Sequence, residues 1–258
     1  MSVARFERGI LKRYIQSTST KDRHKAKLLS LLDWIWRWGF TSTAVLEELW
    51  QLDRSTINRM IRRYINEEMV TEVATFSCRD KRLFLLKPEG LRLLQGYHDE
   101  TLNYSVKPST LNFKTITHDL MCQAIVARGC AEGRYQFYVT ESEQAKEYLK
   151  KTRRCDAIVF EIESSELVGI EVEASAKTIP HRKDCLIATR RMIEEENRFQ
   201  RVLYFSHKRK HLKDAERVHQ KLFNKAENCL DANWFNAHLK LVYSREYIDM
   251  LYHKFWLH

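Results

Sequence analysis

Apolar residues recur every three to four positions through most of the first hundred residues, which is the spacing of one face of an α-helix. The pattern predicts an N-terminal helical arm at residues 3–16 and a longer helix over residues 21–38. A short helix follows at residues 45–50, after a Thr-Ser-Thr stretch that can cap it. Asp53 caps a third helix that continues to about Glu68.

The pattern then changes to short runs that are typical of strands. Residues 70–76 and 82–86 read as a hairpin around a polar, basic turn, and a further helix opens at residues 87–94. Three helices followed by a basic-tipped hairpin describe a winged helix-turn-helix, which we assign to residues 1–97. A winged helix that binds another protein is the alternative interpretation.

A stretch without periodicity separates this region from a second pattern. Residues 98–112 contain Pro108 and are predicted to be a linker, and residues 113–258 are predicted to form the second domain. Its elements follow the order helix, three strands, helix, strand. They span residues 115–129, 134–140, 154–162, 166–174, 178–198 and 201–205.

Two more helical stretches, at residues 211–227 and 245–252, flank a last strand at residues 239–243. The predicted class is therefore α+β, with two domains and a mixed central sheet in the second.

Charge and cysteine content narrow the possible functions. The 258 residues carry a formal net charge of +10, with a pI of about 9.3, which favours a polyanionic partner such as double-stranded DNA. The six cysteines form no CxxC or CxxH pair, which excludes a recognisable zinc finger and does not resemble a disulfide framework. With no signal peptide or membrane-spanning stretch in the sequence, we expect a reduced, cytoplasmic protein without membrane insertion.

The basic residues fall on the two elements that a groove-docked winged helix would use. On the third helix, the face opposite the apolar stripe carries short polar or arginine side chains that suit base edges and phosphates. These residues are Ser55, Asn58, Arg59 and Arg62. The hairpin turn adds Arg79, Lys81 and Arg82, which we expect to meet phosphates or the minor groove.

Three carboxylates occur at matching positions in two adjacent apolar runs. Asp156 opens the first run, and Glu171 and Glu173 lie two apart in the second, so that both glutamates face one side of a strand. Buried like charges repel each other, and a divalent cation relieves this repulsion. Oxygen ligands select Mg2+ or Mn2+, which predicts metal-dependent chemistry on a phosphodiester. A solvated rim of acids on an edge strand is the alternative.

This arrangement of acids and elements resembles the PD-(D/E)xK nuclease superfamily. Cys155 stands where that motif has proline, and Glu173 stands where it has lysine. The segment from Gly169 to Thr178 also resembles the Glu-Val-Glu stretch of MOBC-type plasmid relaxases and of the broader replication-relaxation family, whose members carry an N-terminal winged helix. The resemblance covers both halves of the chain, but only residues 156–178 match a specific motif.

The resemblance implies a relaxase that nicks DNA at the transfer origin of a mobilisable plasmid, with relaxosome or coupling proteins as further partners. Asp156, Glu171 and Glu173 would hold the metal, and Lys177 would lie near the scissile phosphate. Tyr204 matches a further functional tyrosine, although its position in a strand also suits a core aromatic.

The family has an Arg-Tyr pair one turn beyond the lysine, and this chain reads Ile-Pro-His-Arg there. Arg182 can serve as the arginine, but the tyrosine nucleophile is missing, so water and a different tyrosine both stay open. His181 can act as a general base or a phosphate contact, or it is a plain surface histidine. After the Tyr204 strand, Lys208, Arg209 and Lys210 form a basic cluster that suits a DNA backbone or a solvated helix start.

Two other functions remain compatible with the sequence. One is a non-catalytic DNA-binding factor for replication or transcription that keeps a degenerate nuclease fold. The other is a restriction-type or transposase-type nuclease that cuts both strands.

Overall fold

The computed structural model describes residues 9–76, 78–147, 152–175, 177–223, 225 and 230–244. The chain divides into two compact units, with the boundary between Gly133 and Arg134. The α+β class is confirmed. The helix predicted at residues 245–252 lies outside the described residues, as does the start of the N-terminal arm. None of the helices in the described part combines the length and the apolar character needed to span a bilayer.

The first unit contains helices and one small hairpin. Its elements are α1 (Gly9–Gln16), α2 (Thr20–Trp38), α3 (Thr43–Trp50), α4 (Arg54–Asn66), β1 (Val70–Ala74), β2 (Arg82–Leu86), α5 (Pro88–His98) and α6 (Ile116–Ala131). The two strands pair antiparallel, and Thr41 adds an isolated bridge to Phe84 on the far side of β2. A short 3-10 turn at Pro108–Thr110 lies between α5 and α6.

Local capping chemistry fixes where these helices begin and end. The side chains of Ser19, Ser42 and Asp53 each accept a hydrogen bond from a backbone N–H in the first turn of the helix that follows. Gly39 ends α2 with a positive φ of 88°, a conformation that side-chain-bearing residues adopt at a cost. The α4 helix turns Ile57, among others, into the core, which leaves its opposite face to solvent.

Helix α6 is buried on nearly all sides within the first unit, where it packs against α3. The fully buried Gln123 accepts a hydrogen bond from the Trp34 indole at 2.9 Å and donates one to the Phe40 carbonyl at 3.0 Å. Arg128 pairs with Glu48 of α3 at 3.0 Å. The sequence grouped this helix with the second domain, whereas these contacts tie it to α2 and α3 of the first unit.

The second unit is built on a five-stranded mixed sheet. Its elements are β3 (Tyr135–Thr140), α7 (Glu141–Glu147), β4 (Ala157–Glu161), β5 (Glu166–Val172), α8 (Ile179–Glu194), β6 (Arg201–Ser206), α9 (Arg209–Phe223), α10 (Ala232–His238) and β7 (Leu239–Tyr243). The strand order is β3-β4-β5-β6-β7, antiparallel from β3 to β5 and parallel from β5 to β7. The predicted mixed sheet is confirmed, while α7 and α10 were not predicted.

Because of the strand directions, the start of β4 and the ends of β5 and β6 lie at the same edge of this sheet. Strand β4 begins at the edge where β5 and β6 end, because β4 runs antiparallel to both. We call this the site edge, and Asp156, Val172 and Ser206 lie on it. At the opposite edge, Arg201 pairs with Glu166 at 2.8 Å and also with Glu161, which closes that end of the strands.

Candidate functional site

Two of the predicted acidic residues meet at the site edge. Ala157 pairs with Ile170, and extending this antiparallel register by one residue places Asp156 opposite Glu171. The Asp156 carboxylate accepts a hydrogen bond of 2.6 Å from the Val172 backbone N–H. That bond holds the Asp156 side chain against the end of β5.

An arginine that the sequence did not single out forms an ion pair with Glu171. The Arg153 guanidinium lies 2.9 Å from Glu171 Oε2, and the Glu171 side chain is only 4% exposed. The backbone of Arg153 is held in turn, because its carbonyl accepts a 3.0 Å hydrogen bond from the buried Arg198. The segment before β4 therefore delivers a fixed cation to the acid on β5.

One arginine does not fully compensate the charge at this point. Burial, followed by the negative charge of Asp156, raises the pKa of Glu171 to about 7, although Arg153 and Lys177 act in the opposite direction. Among the described residues, nothing forms a hydrogen bond with the buried Oε1 atom of Glu171. The pair of acids therefore has room for additional positive charge.

Glu173 has a different environment. Its side chain, 2% exposed, lies between Lys177, at 2.7 Å from Oε1, and Arg182, at 2.8 Å from Oε2. Its backbone is tied to β6, because the Glu173 N–H donates to Phe205 at 2.7 Å and the Ser206 hydroxyl donates to the Glu173 carbonyl at 2.8 Å. Glu173 thus organises two cations beside the Asp156 and Glu171 pair.

The three other predicted catalytic residues differ in their exposure to solvent. Tyr204 is 2% exposed, its hydroxyl lies 3.4 Å from Thr189 Oγ1, and burial raises its pKa well above the ordinary value. Arg182 is also buried, at 3% exposure. His181 is exposed at the start of α8, with Nε2 3.7 Å from the Cys185 sulfur.

The histidine that packs against Tyr204 is kept neutral. His219 on α9 is 1% exposed and packs edge-on against the Tyr204 ring at 6.4 Å. Burial, followed by the charges of Arg182 and Lys177, lowers its pKa to about 3. His219 therefore adds no positive charge to that of Arg182 and Lys177.

Of the three predicted metal ligands, Asp156 and Glu171 have carboxylate oxygens that suit a hard divalent cation. Within the described part of the chain, no three His, Cys, Asp or Glu side chains are grouped to hold a metal ion. The orphaned Oε1 atom of Glu171, next to Asp156, nonetheless offers carboxylate oxygens of the kind that Mg2+ and Mn2+ prefer. Glu173, with both oxygens in ion pairs, fits a supporting position better than a ligand position.

The basic cluster after β6 is displayed at the site edge. Lys208, Arg209 and Lys210 are all exposed at the start of α9. The Arg209 guanidinium lies 4.5 Å from the centre of the Tyr243 ring, which orients it. These cations come directly after β6, the strand that pairs with β5 and its Glu171.

On the first unit, most of the predicted recognition face of α4 is open to solvent. Ser55, Arg59 and Arg62 are exposed. Asn58 is half-buried, and its side-chain oxygen accepts a hydrogen bond from the Arg82 guanidinium. Arg82, which we expect to contact DNA, connects α4 with the hairpin, since it also pairs with Glu72 at 3.2 Å.

The hairpin turn displays Arg79 and Lys81 to solvent. Between them, the Asp80 carboxylate is fully buried, accepts a 2.9 Å hydrogen bond from the Ala44 backbone N–H and pairs with Arg54. Asp80 thereby fastens the turn to the start of α3 and to α4.

Sequence reasoning missed Arg153 and Asp80, which lie outside any periodic pattern and acquire their roles through residues 18 and 36 positions away. No family model, curated protein or solved structure matches this chain.

Proposed function

We propose that the chain is a Mg2+- or Mn2+-dependent DNA endonuclease in which the first unit binds duplex DNA and the second unit cuts a phosphodiester bond. The observation that carries this proposal is the buried Glu171 beside Asp156 at the site edge, with positive charge from Arg153 and Lys177 close to Glu171. Carboxylates that are buried at a cost in solvation free energy, and whose pKa is shifted as a result, are typical of functional sites.

The acids supply the metal position. Asp156 and Glu171 would hold one divalent cation, which supplies polarisation of the phosphoryl group and a bound water of lowered pKa. Arg153 occupies Glu171 Oε2 and limits the repulsion between the two carboxylates when no cation is bound.

The cations supply stabilisation for the substrate. Lys177 is 21% exposed, so its ammonium can reach a phosphate oxygen on which charge develops. Arg182 is buried, and we assign it the role of keeping Glu173 and, through Glu173, Lys177 in place. His181 is exposed at the N-terminus of α8, where it suits a phosphate contact or proton transfer.

Water is favoured over Tyr204 as the nucleophile. Tyr204 is 2% exposed and its pKa is raised, so its hydroxyl is neither accessible nor easily ionised. In the hydrolytic reaction, the water oxygen attacks phosphorus and gives up one proton, the bond from phosphorus to the sugar oxygen breaks, and the departing oxygen takes up one proton, so that one water is consumed for each bond cut.

The DNA-binding assignment depends on the exposed cationic face of α4 and the hairpin turn, together with the net charge of +10. The finer proposal, which follows from the resemblance to relaxases, is nicking of one strand at a plasmid transfer origin with relaxosome or coupling proteins as partners. The cytoplasm is the corresponding compartment.

The test uses a supercoiled plasmid carrying a duplex sequence that the protein enriches from a random pool. With Mg2+, the wild type should convert it to a nicked circle, whereas Asp156→Asn and Glu171→Gln should bind equally well but not cut. Glu166→Gln is the matched control, an acid at the opposite end of the same strand. Cutting by both site variants at the rate of the wild type contradicts the proposal. A linear plasmid as the product would mean that the enzyme cuts both strands and does not nick one.

A non-catalytic DNA-binding factor is the second candidate, and the ion pairs of Glu171 and Glu173 with arginine favour it. Titration calorimetry with Mn2+ separates the two. Binding of Mn2+ that Glu171→Gln removes supports the endonuclease, and no difference between the two proteins supports the factor.

A further inference from the structure

The hairpin turn of the first unit presents an aromatic side chain to solvent. Phe76, two residues after the end of β1, is 80% exposed, which is the highest value among the large apolar side chains that the structure describes. Such exposure of a single phenylalanine is unfavourable in water, and aromatic side chains of this kind are enriched where a partner covers them.

The neighbouring backbone is held in place. The Thr75 N–H donates to the Lys81 carbonyl at 2.9 Å, and the Lys81 N–H donates to the Cys78 carbonyl at 3.1 Å. Cys78 is 3% exposed, and the buried Asp80 carboxylate binds the start of α3. Phe76 therefore projects from an anchored turn, which lowers the entropic cost of placing its ring in a partner.

The charge around Phe76 identifies the chemistry of that partner. Arg79 and Lys81 are exposed on the same turn, while the intervening Asp80 is fully buried. Two acids lie close to these cations: Glu72 of β1 pairs with Arg82, and Glu47 of α3 interacts with Arg79 and pairs with Arg54. An apolar ring beside two exposed cations suits stacked bases between two phosphate backbones.

We propose that Phe76 is a wedge that enters the minor groove of duplex DNA, partly unstacks one base step and kinks the duplex, while Arg79 and Lys81 contact the flanking phosphates. This inference rests on the DNA binding of the proposed function and adds to it a local distortion of the substrate. Unstacking of a base step loosens the duplex and makes a single strand easier to separate.

The test uses a short duplex that the wild-type protein enriches from a random pool, with a fluorophore at each end, in EDTA so that no strand is cut. Energy transfer between the ends reports bending, and permanganate reports unstacked thymines. The variants are Phe76→Ala and, as the matched control, Phe113→Ala, which removes another exposed phenylalanine of the first unit. All are compared at saturating protein.

The wild type and Phe113→Ala should give shortened end-to-end distances and permanganate-reactive thymines at one position. Phe76→Ala should lose both signals and bind about tenfold more weakly. Unchanged bending and reactivity in Phe76→Ala, or a wild-type complex that is straight and unreactive, would overturn the wedge while leaving DNA binding intact. Absence of any duplex binding by the wild type would overturn the wedge together with the proposed function.

Discussion

Replacement of Glu171 by glutamine tests the electrostatics of the site apart from any catalysis. Glutamine has the shape of the protonated acid, and its amide oxygen can still accept a hydrogen bond from Arg153. The substitution therefore removes the buried negative charge with little change in packing.

The expected effect follows from the raised pKa. The pKa of Glu171 goes from 4.5 to about 7 on folding, so the folded state holds the proton more tightly than the unfolded state. The stability linked to this group is fully present below about pH 4.5 and is lost as the pH rises through about 7. At about 1.4 kcal/mol for each tenfold change in proton affinity, the loss is roughly 3 kcal/mol. The glutamine variant should not show it.

Hydrogen exchange of peptides that cover β5 and β6 measures the effect in the second unit alone. Comparing the two proteins at the same pH cancels the intrinsic pH dependence of exchange. At pH 8 the variant should be better protected than the wild type, and near pH 4.5 the two should be similar. Addition of Mn2+ at pH 8 should raise the protection of the wild type only, because the cation binds the ionised carboxylate.

A difference in protection that stays constant, within about 1 kcal/mol, from about pH 4.5 to 8 would refute the reasoning. That result would mean that Glu171 is ionised throughout the range and that Arg153 fully compensates it. Glu166→Gln, at the half-buried opposite end of the same strand, controls for general effects of removing an ion-paired carboxylate from β5.

Three further changes test the neighbouring contacts. Arg182→Met should destabilise the second unit by about 3–5 kcal/mol in urea unfolding, and Arg182→Met with Glu173→Leu should regain part of this; additive losses would contradict a coupled pair. Tyr204→Phe should cost about 1 kcal/mol and leave cutting within a few-fold, whereas loss of cutting in a folded variant would assign chemistry to the hydroxyl. Asp80→Ala should speed proteolysis at the hairpin turn and weaken duplex binding about tenfold in fluorescence anisotropy, and unchanged binding would show that anchoring is unimportant.

The elements of both units were largely predictable, because their signals are local. Ser42 and Asp53 cap the helices that they precede, and continuous apolar runs mark β4 and β5 without reference to distant residues. The helix α6 shows the limit. Its sequence predicts a helix, but the partners of Gln123 are Trp34 and Phe40, more than eighty residues earlier, and no local pattern reveals them.

The candidate site was predictable to a similar extent. Period-two spacing and the strand register placed Glu171 and Asp156 together, as expected. The same reasoning grouped Glu173 with them as a metal ligand, because spacing along a strand gives the direction of a side chain but not its partners. Lys177 and Arg182 come from the loop and helix after β5, and their claim on Glu173 is visible only in three dimensions.

The turn between β4 and β5 gives this chain an unusual sensitivity to length. Only residues 162–165 separate the two strands, and Ser165 there has a φ of 56°. Neighbouring side chains alternate between the two faces of the sheet. If one inserted residue shifted the pairing of β4 and β5 by one position, the side chains of Asp156 and Glu171 would lie on different faces. Insertion of a single codon in this exposed loop would then separate the two acids while the sheet stays folded.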